Sequence, residues 1–228
     1  MTGAIIKSIA AALLAFAVFF HPSPQPPVPV SREPRHHWKF ENQFVRVFDV
    51  LVPPGDATLF HIHANDYVFV TIGGARLKAE VMGDRPSDLN LTAGEVRFSK
   101  APLTHRVTNV GPTPFRNITV EILSATNSTA AAPSPEPVAG HTPVLENERV
   151  RVSRLILGPG QSTGMHTHGL PGLTVVVSAG EVTVEAPGQR REKIKFRPGS
   201  FRWHTGALTH SLKNVGSSRF EAIEMEWK

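Results

Sequence analysis

The sequence predicts an all-β protein with two tandem β-barrel or sandwich domains behind an N-terminal hydrophobic leader. Short runs rich in Val, Ile, Thr and Phe are broken by Gly and Pro, which is typical of short strands and turns. Downstream of the leader, no long segment shows the 3.6-residue period of an amphipathic helix. The chain also repeats itself at a constant offset of 105 residues, so the same fold is expected twice.

The repeat keeps its frame without a gap from one copy to the next. His61-Ile62-His63 with His105 recurs as His166-Thr167-His168 with His210. Other matched segments are Glu41-Asn42 with Glu146-Asn147, Val45-Arg46-Val47 with Val150-Arg151-Val152, Pro54-Gly55 with Pro159-Gly160, and Asn109-Val110-Gly111 with Asn214-Val215-Gly216. Copies of roughly 85 residues have small cores, so we expect them to pack on each other or in a homo-oligomer.

Residues 1–20 are predicted to be a signal peptide or a membrane anchor. Lys7 precedes an apolar stretch from Ile9 to Phe20, which is short for a membrane span. Ala15-Phe16-Ala17 resembles a cleavage site, but both cleavage and retention as an anchor remain open. The sequence thus predicts an exported protein, periplasmic or secreted, that meets the membrane only through an uncleaved leader. The absence of cysteine excludes disulfides and lipid attachment at a cysteine.

The rest of the chain divides by composition. Residues 21–37 are predicted to be a stiff Pro-rich linker, 38–123 the first domain, 124–140 a Ser/Thr/Ala/Pro-rich connector, and 141–228 the second domain. A chain that starts near Arg32 is therefore expected to fold. Lys and Arg are scattered despite the net charge of +5, and the densest run, 190–195, falls at an expected hairpin turn. No nucleic-acid partner is predicted.

The repeated histidines predict metal sites. Residues i and i+2 of a strand point to the same face, so His61 and His63 project together, as do His166 and His168. A third histidine, His105 or His210, can close each triad from a distant strand. Imidazole binds Fe, Mn, Ni, Cu and Zn, and three imidazoles leave positions open for substrate or dioxygen. We expect a divalent transition metal, with iron preferred and the other four open.

These motifs resemble those of the cupin superfamily, and the repeat resembles a bicupin. The first family motif, G-x5-H-x-H-x3,4-E-x6-G, is matched by Gly55 with its histidines and by Gly160 with its own. The second motif, G-x5-P-x-G-x2-H-x3-N, is matched at Gly94, His105 and Asn109, and at Gly199, His210 and Asn214. The resemblance implies two β-jelly-roll barrels (double-stranded β-helices), each with a metal inside, over about residues 38–228.

The chain departs from the family at the motif Glu. Tyr67 occupies that position in the first copy, and Gly172 or Leu173 in the second. Because oxalate-decarboxylating and oxalate-oxidising bicupins use that Glu as a ligand, such activity is not expected. Tyr67 shares the parity of the His pair, so its hydroxyl either faces the metal or fills the barrel. Asp66 would face inward only through a bulge; both are candidate catalytic residues.

Other polar residues have two interpretations. His204 is either an extra ligand or base of the second copy or a partly exposed strand residue. Arg97 and Arg202 form either a carboxylate site or structural salt bridges. Three histidines that precede the strands are expected to be solvated: His36, His37 and His141.

Two functions remain open for the chain. The first is a metal-dependent dioxygenase acting on a small organic molecule; the second is a non-catalytic module that binds metal or a small ligand. Because Asp66 and Tyr67 lie beside the first triad, the first copy is predicted to be the more active.

Overall fold

The computed structural model describes residues 25–124 and 137–228, so the predicted leader lies outside the described residues. Within those ranges, no helix is both long and apolar enough to cross a membrane. The first barrel contains β1 Val28–Pro29, a 3-10 turn Val30–Arg32, β2 His36–Glu41, β3 Val45–Val52, β4 His61–His63, β5 Tyr67–Thr71, β6 Ala75–Val81, β7 Ser87–Leu91, β8 Val96–Ser99, β9 Leu103–Asn109 and β10 Phe115–Ile122. The second contains β11 His141–Glu146, β12 Val150–Leu157, β13 His166–His168, β14 Gly172–Val176, β15 Gly180–Glu185, β16 Glu192–Phe196, β17 Phe201–His204, β18 Leu208–Asn214 and β19 Phe220–Trp227.

Each barrel is made of two sheets with the same strand order. In the first barrel the orders are β1-β4-β9-β6-β7 and β2-β3-β10-β5-β8. In the second they are β13-β18-β15-β16 and β11-β12-β19-β14-β17, which repeats the order of the strands from β2 to β10. The predicted all-β fold of two tandem jelly rolls is therefore confirmed.

The first barrel begins earlier than the sequence indicated. β1 pairs with β4, with Val28 opposite His61, and Val30 is buried in the barrel core beside Phe48 and Phe115. These residues lie in the segment predicted to be a linker. The proline-rich composition predicted a linker, but part of the segment forms a strand at the edge of the sheet, where proline is tolerated. We call residues 28–36 the N-terminal arm.

The central strands β10 and β19 are buried on both faces. On β10, Ile118, Val120 and Ile122 face the second barrel and join a core cluster that contains Ile223 and Met225 of β19. The alternate positions face each barrel's interior and include polar side chains: Asn117, Thr119 and Glu121 on β10, and Glu224 and Glu226 on β19. The apolar side chains therefore pack between the two barrels, and the polar side chains point into the barrel interiors.

Two arginines reinforce the junction between the barrels. Arg116 forms an ion pair with Asp49, 2.8 Å away, and donates to the carbonyl of Pro198 in the other barrel at 3.0 Å. Arg154 donates to the carbonyl of Gly94 at 2.7 Å. Gly94 has φ +74°, and a Cβ there would lie 2.7 Å from a Glu221 carboxylate oxygen, so only glycine fits this turn.

Candidate metal centres

Strand pairing brings the three predicted histidines of the first barrel together. His61 on β4 lies opposite His105 on β9, and His63 follows two residues later on the same face. The ring centroid of His105 is 4.5 Å from that of His61 and 5.3 Å from that of His63. His61 and His63 are 0% and 1% exposed, so this cluster is enclosed by the barrel.

A fourth histidine joins this cluster. His36 on β2, expected to be solvated, has a side chain only 6% exposed, and its ring centroid is 4.6 Å from that of His61. Its Nδ1 lies 2.6 Å from Oε2 of the buried Glu33. The solvation prediction for His36 is wrong because its ring packs on His61 and its Nδ1 contacts Glu33. One nitrogen from each of His36, His61 and His63 lies within 4.8 Å of the others.

Hydrogen bonds at Nδ1 leave Nε2 atoms free to bind a metal. The Nδ1 of His61 donates to the carbonyl of Leu59 at 2.9 Å, and that of His63 faces Glu121 Oε1 at 3.4 Å. The Nε2 atoms of His61 and His105 are buried and have no hydrogen-bond partner among the described residues. Burial, together with the nearby histidines, lowers the pKa of His61 to about 3 and that of His105 to about 2. Both rings are therefore neutral at pH 7, as metal ligation requires.

The two acidic side chains predicted for catalysis occupy different environments. The ring of Tyr67 stacks on that of His63, with centroids 4.1 Å apart. Burial raises the pKa of Tyr67 to about 12, so the phenol remains a proton donor at neutral pH. The Asp66 carboxylate instead accepts a hydrogen bond from the Ala101 amide at 2.9 Å and lies 4.0 Å from Arg149 of the second barrel. Because Asp66 holds this loop, we do not retain it as a site residue.

The second barrel repeats the cluster. His166 lies opposite His210, and the Nε2 atoms of His166 and His168 are 3.2 Å apart. The Nδ1 of His166 donates to the carbonyl of Gly164 at 3.1 Å, just as His61 donates to Leu59. The Nε2 of His210 is buried and unpaired among the described residues. The nitrogens of the three histidines lie within 4.8 Å of one another.

In each barrel, a carboxylate contacts one of the histidines and also lies close to an arginine. Glu226, 105 residues after Glu121, faces the Nδ1 of His168 at 3.6 Å. Arg46 lies 3.1 Å from Glu121, and Arg151 lies 3.9 Å from Glu226. A carboxylate at Nδ1 orients a ligating imidazole and raises the basicity of Nε2. Although burial opposes it, the contact with Glu226 raises the pKa of His168.

Glu224 is a site residue that sequence reasoning missed. Its Oε2 lies 2.7 Å from Nε2 of His141 and 3.8 Å from Nε2 of His168, while its buried Oε1 is unpaired among the described residues. Despite the opposing effect of burial, the histidine contacts lower the pKa of Glu224 to about 2. The equivalent residue of the first barrel is Thr119. His141, also expected to be solvated, is partly buried by this contact. In the second barrel a carboxylate therefore lies on the Nε2 side of His168, where the first barrel has a threonine.

Each site opens onto a cavity. The first cavity, of about 230 Å³, is lined mainly by apolar side chains and includes Tyr67, His105 and Arg97. A second, of about 260 Å³, reaches His204 and His210. Another, of about 280 Å³, is lined by His166 and His168 together with His141 and Glu226. Arg97 and Arg202 form ion pairs with Glu95 and Glu192, 2.8 and 3.8 Å away, at the rims of these cavities.

Solved structures show similar folds. AerE from Microcystis aeruginosa matches with a TM-score of 0.63 at 12% identity, over 89% of this chain and 98% of that chain. Salicylate 1,2-dioxygenase from Pseudaminobacter salicylatoxidans matches with a TM-score of 0.60 at 14% identity, over 87% and 77%. A variant of Bacillus subtilis oxalate decarboxylase matches with a TM-score of 0.59 at 11% identity, over 90% and 79%. These cupin-fold neighbours establish the fold. No family model and no curated protein sequence matches this chain.

Proposed function

We propose that the chain is a metal-dependent oxidoreductase of the dioxygenase type, exported from the cytoplasm and acting on a small organic molecule. The observation that supports this function most directly is the clustering of histidines in each barrel, with the Nε2 atoms of His61, His105 and His210 buried and unpaired among the described residues. Unprotonated nitrogens without partners are costly in a protein interior unless they meet a proton or a metal ion. The donor set suits iron, and also Mn, Ni, Cu or Zn.

We assign the reaction to the second barrel, contrary to the expectation from Asp66. Its cluster contains the carboxylate of Glu224, and its histidines border two cavities. A bound redox-active divalent ion would supply the electron transfer that dioxygen needs to react with an organic substrate. The protein residues have separate tasks: the three histidines hold the ion, and the apolar cavity walls exclude water.

His204 is our candidate for accepting a proton from the substrate. Its Nδ1 donates to the carbonyl of Gly206 at 3.0 Å, so Nε2 has a free lone pair. Burial lowers the pKa of His204, which keeps the ring neutral at pH 7. Its ring centroid is 5.6 Å from that of His168, and the residue lines the same cavity as His210. A hydroxyl-bearing substrate that chelates the ion would place its proton near this ring.

The test is metal analysis followed by oxygen uptake. The protein is purified without added metal, its metal content is determined, and uptake is recorded with small chelating compounds, beginning with salicylate. Redox-active metal with substrate-dependent uptake supports the proposal. The control His37→Ala changes an exposed histidine outside both clusters and should leave uptake unchanged.

A non-catalytic metal-binding module is the second candidate. The nearly complete burial of His61 and His63 favours a structural ion in the first barrel. If the purified protein contains zinc alone and shows no uptake with any compound, the module is the better description and the oxidoreductase proposal fails.

A further inference from the structure

We propose that the two metal centres use different fourth donors: His36 in the first barrel and Glu224 in the second. The inference rests on the metal binding of the proposed function and deepens it. Neither residue belongs to the repeated His-x-His motif or to its distant third histidine. Both are placed by strands at the opposite side of each barrel, β2 and β19.

In the first barrel, His36 is held in the geometry of a ligand. Its Nδ1 contacts Glu33, whose carboxylate also accepts hydrogen bonds from the amides of Leu59 at 3.1 Å and Arg35 at 2.8 Å. A carboxylate fixed by two amides cannot turn away, so it directs the hydrogen of His36 to Nδ1. The opposite nitrogen, Nε2, then has its lone pair free for the group that His61 and His63 also face.

In the second barrel, the equivalent histidine is engaged otherwise. His141 lies 105 residues after His36, but its Nε2 contacts the Oε2 of Glu224 at 2.7 Å. Glu224 thereby has its Oε1 unpaired among the described residues and its Oε2 3.8 Å from the Nε2 of His168, which places a carboxylate beside the three histidines. His141 becomes the residue that orients Glu224, so two differences between the copies, Glu33 against Val138 and Thr119 against Glu224, exchange ligand and support.

Thr119 explains why the exchange does not occur in the first barrel. Its hydroxyl donates to the Oδ1 of Asn117 at 2.7 Å and offers no carboxylate to the histidines. Within residues 25–124 and 137–228, the acidic side chain that His36 contacts is Glu33, and the contact is at Nδ1. At these two positions the first barrel has a histidine and a threonine, and the second barrel has a histidine and a glutamate.

The two donor sets predict different metals. A set of four imidazole ligands leaves the full charge of a divalent ion in place and suits Zn, Cu and Ni. When three imidazoles and a carboxylate bind the ion, the carboxylate cancels one of its two positive charges. Its hard oxygen donor also favours Mn²⁺ more than an all-nitrogen set does. The second barrel should therefore bind Mn²⁺ more tightly than the first, whereas Zn²⁺ should occupy both.

Metal titration of the chelator-treated full chain tests this assignment. Free Mn²⁺ is counted by electron paramagnetic resonance, and Co²⁺ binding is followed by visible absorption. The variants are His36→Ala, Glu224→Gln and Glu224→Thr, with His37→Ala as control. Glu224→Gln keeps the side-chain size, so it remains informative if Glu224→Thr does not fold.

We expect both Glu224 variants to weaken Mn²⁺ binding roughly tenfold or more and to leave Co²⁺ in the first barrel unchanged. His36→Ala should weaken Co²⁺ binding by a similar factor, alter its absorption spectrum and spare the Mn²⁺ site. If the wild-type chain binds metal but the variants titrate like His37→Ala, the fourth-donor assignment is overturned while the proposed function stands. If the wild-type chain binds no metal, the proposed function itself fails.

Discussion

The ring of His204 lies directly over the backbone of Gly172, where an added Cβ would be 2.4 Å from Nε2 of the ring. These residues are register partners on β14 and β17. Tyr67 and Ser99 are the corresponding partners in the first barrel. The large ring therefore comes from opposite strands in the two barrels, and the small residue opposite makes room for it. This exchange gives one site a phenol and the other an imidazole.

Replacing Gly172 by alanine should displace His204 and destabilise the second barrel. The new methyl group would also lie 2.8 Å from the carbonyl of Met225, a backbone atom that cannot easily move. We expect a loss of about 1–3 kcal/mol in the free energy of unfolding, measured in urea. Gly169→Ala is the matched control, because nothing lies within 4 Å of its Cβ position. Equal stability of the two variants would contradict the packing of His204.

Glu121→Gln should weaken metal binding in the first barrel by roughly 10- to 100-fold, because Glu121 orients His63. Titration calorimetry measures the affinity. Glu41→Gln is the control: Glu41 forms an ion pair with the same Arg46, whereas the carboxylate that faces His63 is that of Glu121. If both variants bind metal as the unchanged chain does, Glu121 has no positioning role.

The stability of the metal-free protein should fall as the pH decreases from about 6.5. The pKa of His61, His105 and His210 is lowered on folding, to about 3, 2 and 4, chiefly by burial. Below pH 6.5 the unfolded chain therefore binds more protons than the folded chain, and stability is lost until the folded pKa values are reached.

Each of these histidines contributes up to about 1.4 kcal/mol per pH unit within its window. The raised pKa of His168 acts in the opposite direction, since its contribution is lost as the pH rises. Urea unfolding at pH 7 and pH 5 measures the net effect. A free energy of unfolding that stays constant or increases toward pH 5 would show that the three rings are not neutral in the fold.

Removing the N-terminal arm should destabilise the first barrel, contrary to the sequence-based expectation for a chain that starts near Arg32. Such a chain loses β1 and the buried Val30, whose apolar burial contributes about 1.5–3 kcal/mol. A chain that starts at Pro26 retains both and is the control. Thermal unfolding compares the two, and equal midpoints would mean that the arm does not stabilise the barrel.

The leader remains a prediction from its hydropathy. Ile9–Phe20 should direct export, and cell fractionation distinguishes the two forms: soluble periplasmic protein indicates cleavage, and carbonate-resistant membrane protein indicates an anchor. Full-length protein in the cytosol with its leader intact would contradict the predicted export.

The fold and the clustered histidines could be anticipated because both depend on local periodicity and exact repetition. The parity rule placed His61 with His63, and the constant offset identified the partners of each triad. Glu224 could not be predicted as a site residue because, from the sequence alone, a buried glutamate in a strand looks the same as an exposed one. Alternation along Phe220–Trp227, with Glu224 and Glu226 two residues apart, was the signal that could have revealed it.

The remaining differences depend on long-range contacts. His36 and His141 share the offset of the repeat, yet their burial depends on Glu33 and Glu224, which pair with them only in the folded chain. Asp66 lies beside Tyr67 in sequence, but its contacts are with Ala101 and the second barrel. Sequence parity determines which face of the strand a side chain occupies, whereas the partner it meets depends on tertiary packing.

Metal binding by both barrels is tested by the number of metal ions bound per chain. We expect two ions for the unchanged protein and one for either double variant, His61→Ala with His63→Ala or His166→Ala with His168→Ala. A variant that combines both double substitutions and also lacks His105 and His210 has lost all six predicted ligands and should bind no metal. Full retention of metal by that six-histidine variant, with its fold intact by circular dichroism, would contradict the account.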